Sequence, residues 1–288
     1  DQLETALQRD RLFIPNVTPE GDAETVKRLS VMVTLLPSLS RFREGSTDLA
    51  ARAMLRLAEG DTAGFEHDVL CDLKFSRLVV KQPSLIGYLV AAAIRSQALR
   101  AVQSAAVSGK LDARTAADLR EKLAAEGAWP TPAHNIDVAE RYSLLDAVCG
   151  LATGGTMPGV SGGTAKIPMV PINFPHALEE ANGLYDRMRD AFGEKHYADM
   201  LRELDAVETE VGRFATGGPL YKATHISELL VAILIPATSR VATLYENTVV
   251  DGRLADAALA LRIYRAGHQA YPDALADAGI SGEAATDP

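Results

Sequence analysis

The sequence predicts an all-α protein: an irregular helical bundle or a set of stacked helical hairpins, with about ten helices and no substantial sheet. Apolar residues make up 47% of the 288 residues but aromatic residues only 6%. This composition suits close packing of helices better than the faces of a sheet. Apolar positions recur at intervals of three and four along most of the chain, which is the helical period. No run alternates with a period of two over a useful length, so we expect no strand.

Start and stop signals place the helices in order along the chain. The clearest helix covers residues 84–108: the run from Leu85 to Ala106 keeps the helical period, Pro83 suits the first turn, and Gly109 suits the exit. The other helices are expected at residues 22–44 with a bend at Pro37, 47–59, 62–80, 112–126, 137–151, 175–192, 195–215, 222–250 and 253–267, with a short one near 272–278.

Local residues support several of these boundaries. Gly60 and Asp61 give the helix–turn–helix pattern of stacked helical pairs, because Gly ends one helix and an acid begins the next. In the helix at 195–215, Leu201 and Leu204 begin an apolar seam. The acids between the seam positions fall on the other faces, which is typical of a solvated surface.

Two segments of the chain resemble each other. Leu89–Leu119 and Leu230–Leu261 each contain a long apolar helix, a Gly-basic-Leu step and a second helix. An internal duplication would produce this similarity. The common chemistry of a helical hairpin would produce it as well, since Gly ends one helix and an acid begins the next.

One long segment, residues 152–174, interrupts the helical pattern. It is dense in Gly and Pro and has no periodicity, and a loop of this length in a compact domain is usually functional or disordered. The sequence therefore divides into an N-terminal helical half (1–151), this loop (152–174) and a C-terminal helical half (175–288). We expect the two halves to pack as one domain.

The charge of the chain excludes some classes of partner. A net charge of −9 and an isoelectric point near 5.2 argue against sequence-independent binding of nucleic acid, which needs a basic surface. They also argue against direct binding to anionic lipid. The longest apolar runs, Leu85–Ile94 and Leu229–Ile235, are shorter than the roughly 20 residues needed to span a bilayer. We therefore expect membrane association only through an anchor absent from this chain.

The side chains of Cys71 and Cys149 leave two alternatives open. Two thiols in a chain of this length do not identify the redox compartment. They are either buried free thiols or the two halves of a disulfide.

The 152–174 loop contains a G-x-S-x-G match, Gly159–Gly163, with Ser161 at its centre. A nucleophile elbow needs a strand before this serine and a helix directly after it, and the sequence predicts neither. A P-loop needs Lys and then Ser or Thr after the last Gly, whereas Gly163 is followed by Thr164. We therefore predict no catalytic residue and no cofactor-binding residue here.

Two His-x-x-Glu pairs raise the possibility of a metal site. His176 with Glu179 and His225 with Glu228 each lie near the start of a predicted helix, and residues three apart share a helix face. Two such pairs on facing helices would offer two imidazoles and two carboxylates to a divalent metal. Acids in the first turn also stabilise a helix through its dipole without any metal, so the leading prediction is no metal ligand.

The single tryptophan, Trp129, lies in a Pro-rich stretch. Pro130 and Pro132 favour extended backbone on either side of it. We expect the ring to cap an exposed end of the core, and stacking on a ligand is the alternative.

The end of the chain carries a family pattern. The segment A-L-x-x-Y-x-x-x-x-G-x-Y-P-x-x-L, found in pseudopilin-like proteins of secretion systems, is matched at Ala260, Leu261, Tyr264, Tyr271, Pro272 and Leu275. The segment is more similar to the tail of large uncharacterised helical envelope proteins of planctomycete-type bacteria, which carry an N-terminal membrane anchor. Pro83–Leu99 and Ala177–Met188 share the resemblance, and Gln269 stands where the pattern has Gly.

The physical role of this ending follows from its residues. The last long helix must stop before Pro272, because the residue preceding a proline is pushed out of helical geometry. Tyr264 and Tyr271 can then fold over the next turn and bring Leu275 and Ile280 back onto the core. We expect the segment to lock the end of the bundle.

The family resemblance implies a location in the cell envelope, on the periplasmic side, with membrane anchoring through a missing N-terminal segment. It implies no reaction.

The leading hypothesis is a non-enzymatic helical scaffold or protein-interaction subunit of the bacterial cell envelope. Such a subunit would bind another envelope protein or a larger assembly and need no cofactor. One alternative is a metal-dependent enzyme with the His/Glu site between helices and residues 152–174 as its lid. Another is a carrier of an apolar ligand between Ala-rich helices.

Overall fold

The structure is a computed structural model that describes residues 2–14, 38–153, 172–194, 196–216, 225, 227–228, 231–232 and 237–285. Within these residues the chain forms helices and no strand. The prediction of an all-α fold is confirmed.

The helices follow the predicted order. They are α1 (Gln2–Leu7), α2 (Ser38–Glu59), α3 (Thr62–Val79), α4 (Leu85–Ser108), α5 (Ala113–Ala125), α6 (Ala133–Asn135), a π-helical turn (Ile136–Glu140), α7 (Arg141–Ala152), α8 (Phe174–Ala191), α9 (Tyr197–Thr216) and α10 (Thr238–His268). Two 3₁₀ turns follow, Leu275–Ala278 and Gly282–Ala285.

Side-chain caps explain why most boundaries could be predicted. Asp61, Ser84, Asp112 and Asn173 each accept a hydrogen bond from the backbone N–H three residues ahead, at 2.8 to 3.2 Å. Each cap satisfies a donor that the first turn of a helix leaves unpaired. At the other end of α4, Gly109 adopts a left-handed φ of 75°, which glycine does without steric cost.

Two predicted helix breaks are wrong. The chain continues as one helix through Gly45 in α2 and through Gly252 in α10. An interior glycine costs a helix only about 1 kcal/mol, and packing offsets this cost in α10, where Ala255 and Leu259 are fully buried. The two similar segments therefore differ in structure. Leu89–Leu119 is a hairpin, whereas the described part of the second segment is mostly one continuous helix.

The central helix of the fold is α4. It packs against α2, α3 and α10, and α10 also packs against α5. The apolar core has two parts. One part surrounds the first half of α4 and includes residues of α7, α8 and α9. The other part surrounds the second half of α4 and includes residues of α2, α3 and α5. Helix α10 contributes to both parts, so helices from before and after residues 152–174 share the same core.

Within the described residues, α4 is also the one helix long and apolar enough to cross a membrane. Its apolar window reaches well past the Leu85–Ile94 run because the Ala-rich second half extends it. In the fold, 67% of that window is buried against other helices. This burial is typical of the core helix of a globular domain.

The positions of the two cysteines answer the question that the sequence left open. No disulfide joins Cys71 and Cys149. The Sγ atom of Cys71 lies 3.6 Å from Nε2 of His67, one turn earlier in α3. Cys149 is exposed on α7.

The chain end forms only part of the expected lock. Ile280 is buried as predicted, but Leu275 and Tyr271 are exposed. The reason lies in Arg265, whose Nη1 donates to the Tyr271 hydroxyl at 2.9 Å and whose guanidinium lies 4.8 Å from the ring centroid. These contacts hold the ring on the surface of α10 instead of over the core.

A single backbone position at this end carries strain. Gln269, directly after α10, has a φ of 58°, and among the described residues it is the one non-glycine residue with a positive φ. Its N–H donates to the Arg265 carbonyl at 2.9 Å, which is the left-handed helix cap that glycine normally occupies. The similar family pattern has Gly at this position.

We expect Gln269→Gly to raise the free energy of unfolding by about 1 kcal/mol, because glycine removes the left-handed penalty while losing some conformational entropy on folding. Urea denaturation followed by circular dichroism measures the change. Gln269→Ala is the matched control, since alanine keeps the Cβ that causes the penalty. A Gly variant no more stable than the Ala variant would contradict the assignment of strain.

Candidate functional site

The structure brings together two of the four residues of the predicted His/Glu site. His176 Nε2, in the first turn of α8, lies 3.3 Å from Glu228 Oε1. Glu179 is exposed on α8, and the His225 ring lies against the Phe214 ring with centroids 6.1 Å apart. Across the described ranges, no three His, Cys, Asp or Glu side chains are grouped to hold a metal ion. Ser161 and its motif lie outside the described residues.

A groove lies between α4, α5 and α10, with a volume of about 740 Å³. Its surface is mainly apolar and comes from Leu99, Ala117, Leu123, Ala124, Gly252 and Ile263. Its charged side chains are Arg95, Arg120, Glu121, Arg253 and Asp256. A concave, mostly apolar surface with a few converging polar groups is typical of a ligand site.

An ion pair joins two walls of this groove. Arg120 on α5 donates from Nε and Nη2 to the two carboxylate oxygens of Asp256 on α10, at 2.7 and 3.1 Å. The hydrogen bond to Asp256 raises the pKa of Arg120, whereas burial acts in the opposite direction. Such a two-bond pair fixes the orientation of both side chains, so it holds α5 and α10 at a set distance from each other at this point of the groove.

Two guanidinium groups lie near one indole in a cluster that we call the arginine stack (Arg77, Trp129 and Arg95), and Arg95 is the member that also lines the groove. The guanidinium carbons of Arg77 and Arg95 lie 5.2 and 5.1 Å from the Trp129 ring centroid. The indole is only 5% exposed, and its Nε1 donates to the Tyr88 hydroxyl at 3.1 Å. That hydroxyl donates to the Pro130 carbonyl at 3.0 Å.

The arginine stack carries an excess of positive charge. Glu126 Oε2 lies 2.6 Å from Arg95 Nη1 and 3.7 Å from Arg77 Nε, so one carboxylate faces two guanidinium groups. Burial lowers the pKa of Arg77, the neighbouring charge of Arg95 lowers it further, and Glu126 opposes both effects. Because a guanidinium remains protonated in proteins, the stack with Glu126 keeps a net charge of one positive unit.

Within this stack, Arg95 is the residue that reaches the groove. It lines the groove, is only 6% exposed, and its buried Nε has no hydrogen-bond partner within the described part of the chain. A buried donor without a partner is costly. Arg95 Nη1 is paired with Glu126 at 2.6 Å.

A second polar cluster lies inside the contact between α2 and α3. The buried Asp68 carboxylate accepts two hydrogen bonds from Arg52, at 2.6 and 2.9 Å, and lies 3.1 Å from Arg56 Nη1. One turn later, Asp72 is 1% exposed and accepts a hydrogen bond from Ser46 Oγ at 2.9 Å. Burial raises the pKa of Asp72 to about 7, although the Ser46 hydrogen bond acts to lower it.

Neither cluster was identified from the sequence, although each has a signal there. Arg95 is the one charged residue in the apolar run from Leu85 to Leu99. Asp68 and Asp72 lie at helical spacing on the face that also carries Phe65. A charged residue on a predicted core face indicates a buried ion pair or a site, but its partners come from other helices and cannot be found from local spacing.

The described residues thus form an all-α helical bundle, and a groove lined in part by arginine side chains lies between three of its helices. Comparison with protein-family models, with curated proteins and with solved structures finds no match for this chain.

Proposed function

We propose that the protein is a non-enzymatic helical scaffold or interaction subunit of the bacterial cell envelope, related to the planctomycete-type helical proteins that its C-terminal pattern resembles. It acts by binding, and the groove between α4, α5 and α10 is its binding surface. Its partner is another envelope protein or a larger assembly that covers the rim of this groove.

The groove is the observation that carries this proposal. It combines apolar side chains with a buried guanidinium, Arg95, that lacks an acceptor for its Nε. Small apolar side chains on the rim, such as Ala117 and Ala124 on α5, are exposed and leave the groove open. Arginine is enriched at the energetically important positions of interfaces, and the buried core of an interface is more apolar than its rim.

A photo-crosslinking amino acid at two sites of α5 tests the proposal. Ala117 lines the groove, whereas Ala125 is exposed on the same helix but does not line it. We expect the probe at Ala117 to crosslink one envelope protein, in a reaction that excess unlabelled protein suppresses. The probe at Ala125 should not capture that protein. Equal capture from both sites, or none from Ala117, would contradict the groove as the binding surface.

A metal-dependent enzyme remains the second candidate, because His176 Nε2 and Glu228 Oε1 lie 3.3 Å apart. A neutral imidazole and a carboxylate are two ligands of a zinc site, which needs at least one more protein ligand. Elemental analysis of protein purified without chelator tests this candidate. A His176→Ala variant that loses a stoichiometric metal would support the enzyme and count against the binding subunit.

A further inference from the structure

We propose that residues 38–44, the first part of α2, form an arm that swings open at Gly45 when the buried carboxyl group of Asp72 loses its proton. We call residues 38–44 the α2 arm. This inference goes beyond the proposed function, because it concerns the contact between α2 and α3 and not the groove. Three observations carry it: the division of α2 between two parts of the core, the glycine at that division, and the polar contact beside the glycine.

The two ends of α2 pack in different parts of the core. Leu39 and Phe42 lie in the part around the first half of α4, whereas Ala53 and Leu57 lie in the part around its second half. The Phe42 ring meets the Phe75 ring of α3 edge-on, with centroids 5.3 Å apart. Units that bury few apolar side chains open at a lower free energy than the core as a whole. The α2 arm is such a unit among the described contacts.

The glycine at the division weakens the helix there. Gly45 lies inside α2, and a Cβ at this position would have no packing contact within 4 Å. Packing therefore does not require a glycine here. Because glycine has more backbone freedom than any other residue, it is an unfavourable residue in a helix interior. The helix is thus weakest between its two ends.

The second part of α2 is held to α3 by ion pairs. Arg52 donates hydrogen bonds of 2.6 and 2.9 Å to the buried Asp68 carboxylate, and Arg56 Nη1 lies 3.1 Å from the same carboxylate. The described contacts of the α2 arm include no ion pair with α3. When the two parts separate, the arm is therefore the part that moves.

A single polar contact closes the arm at the hinge. Ser46 Oγ donates to Asp72 Oδ2 at 2.9 Å. The Asp72 side chain is 1% exposed, and its buried Oδ1 has no hydrogen-bond partner among the described residues. A deprotonated carboxylate would leave this oxygen unpaired in the closed arm, whereas water can hydrate both oxygens in the open arm. Loss of the proton therefore favours opening.

Burial makes this proton loss occur near neutral pH. It raises the pKa of Asp72 to about 7, and the Ser46 hydrogen bond acts to lower the pKa. No charged side chain among the described residues contributes to this shift. The charged side chains near this contact are exposed, as Arg43, Asp48 and Lys74 are, or are paired elsewhere: Arg52 and Arg56 of α2 with Asp68, Arg95 of α4 with Glu126, and Lys122 of α5 with Glu66.

The test is hydrogen exchange of the full chain, followed residue by residue at low urea concentrations. We expect the amides of residues 42–44 to be at least tenfold less protected than those of residues 53–57. Their exchange should depend little on urea, because a local opening exposes little surface. From pH 5 to pH 8 their protection should fall about 100-fold after correction for exchange in an unstructured chain. The reason is that the closed arm holds the Asp72 proton more tightly than the open arm.

Two variants locate the proton and the hinge. Asp72→Asn cannot ionise, so the protection of residues 42–44 should be the same at pH 5 and pH 8. Gly45→Ala strengthens the helix at the hinge and should raise their protection about fivefold. Gly183→Ala is the matched control, since Gly183 is an exposed interior glycine of α8 that also has room for a Cβ. It should leave residues 42–44 unchanged.

Three results would overturn the inference. The first is equal protection and equal urea dependence for residues 42–44 and 53–57, because α2 would then open only as a whole. The second is a pH dependence that remains in Asp72→Asn. The third is an effect of Gly45→Ala on residues 42–44 no larger than that of Gly183→Ala, and this comparison keeps the test decisive even where Asp72→Asn does not fold.

Discussion

We expect Trp129→Ala to lower the free energy of unfolding by about 3–5 kcal/mol, the usual cost of truncating a buried aromatic side chain. The indole is 5% exposed, and the guanidinium carbons of Arg77 and Arg95 lie 5.2 and 5.1 Å from its ring centroid. Its loss leaves a cavity and removes two cation–π contacts. Urea denaturation followed by circular dichroism measures the change. Tryptophan fluorescence cannot be used, because the variant lacks the one tryptophan of the protein.

Two control variants separate the contributions to this loss. Trp129→Phe keeps an aromatic ring near the two guanidinium groups but loses the Nε1–H bond to Tyr88, so we expect a smaller loss of about 1–2 kcal/mol. Tyr142→Ala removes an aromatic side chain that is exposed and should change stability by about 0.5 kcal/mol or less. A loss at Trp129→Ala no larger than at Tyr142→Ala would show that the arginine stack does not stabilise the fold.

The second large effect is a dependence of stability on pH that comes from Asp72. Its pKa rises from 3.8 to about 7 in the fold because of burial, so the folded state holds this proton more tightly than the unfolded state. The stabilisation is complete below pH 3.8 and is lost as the pH rises through 7. Between pH 5 and pH 9 this contribution to the free energy of unfolding therefore falls by about 3 kcal/mol, at 1.36 kcal/mol per pKa unit.

Asp72→Asn keeps the shape of the side chain and cannot ionise. The difference in free energy of unfolding between this variant and the unmodified protein should therefore move in favour of the variant by about 3 kcal/mol as the pH rises from 5 to 9. Denaturation curves at the two pH values measure the difference and cancel the titration of groups common to both proteins. A gain that is the same at both pH values would contradict the assignment.

The neighbouring residues provide controls for Asp72. The Ser46 hydrogen bond lowers the pKa of Asp72, so Ser46→Ala should move the loss of stability to higher pH. Asp68→Asn removes the ion pairs with Arg52 and Arg56 and should destabilise the fold at both pH values.

The ends of the helices differ in how far local residues determine them. Asp61, Ser84, Asp112 and Gly109 act within three or four residues of their own position, and their boundaries agree with the sequence to within about two residues. Gly252 has the same local pattern as Gly109 but lies inside α10, because burial of Ala255 and Leu259 against other helices outweighs the cost of one glycine. Local chemistry alone does not distinguish these two positions.

The same distinction applies to the candidate site. The two His-x-x-Glu spacings raise a metal site only as an alternative. The structure places His176 beside Glu228 but groups no third His, Cys, Asp or Glu side chain with them among the described residues. The groove was not anticipated, because Arg95, Arg120 and Asp256 come from three helices that are distant in the sequence. The Trp129 ring is expected to cap an exposed end of the core, but it is only 5% exposed and belongs to the core itself. Its two guanidinium neighbours could not be inferred from a Pro-rich stretch.

The sequence by itself determined the all-α class and most helix boundaries of this protein, since helical periodicity, caps and breakers act over a few neighbouring residues. Only the tertiary structure decided which polar and charged residues lie together, such as Arg77 with Arg95 and Asp72 with Ser46. The reason is that burial and Coulomb energies depend on distances through space, and these distances are set by how the helices pack around α4.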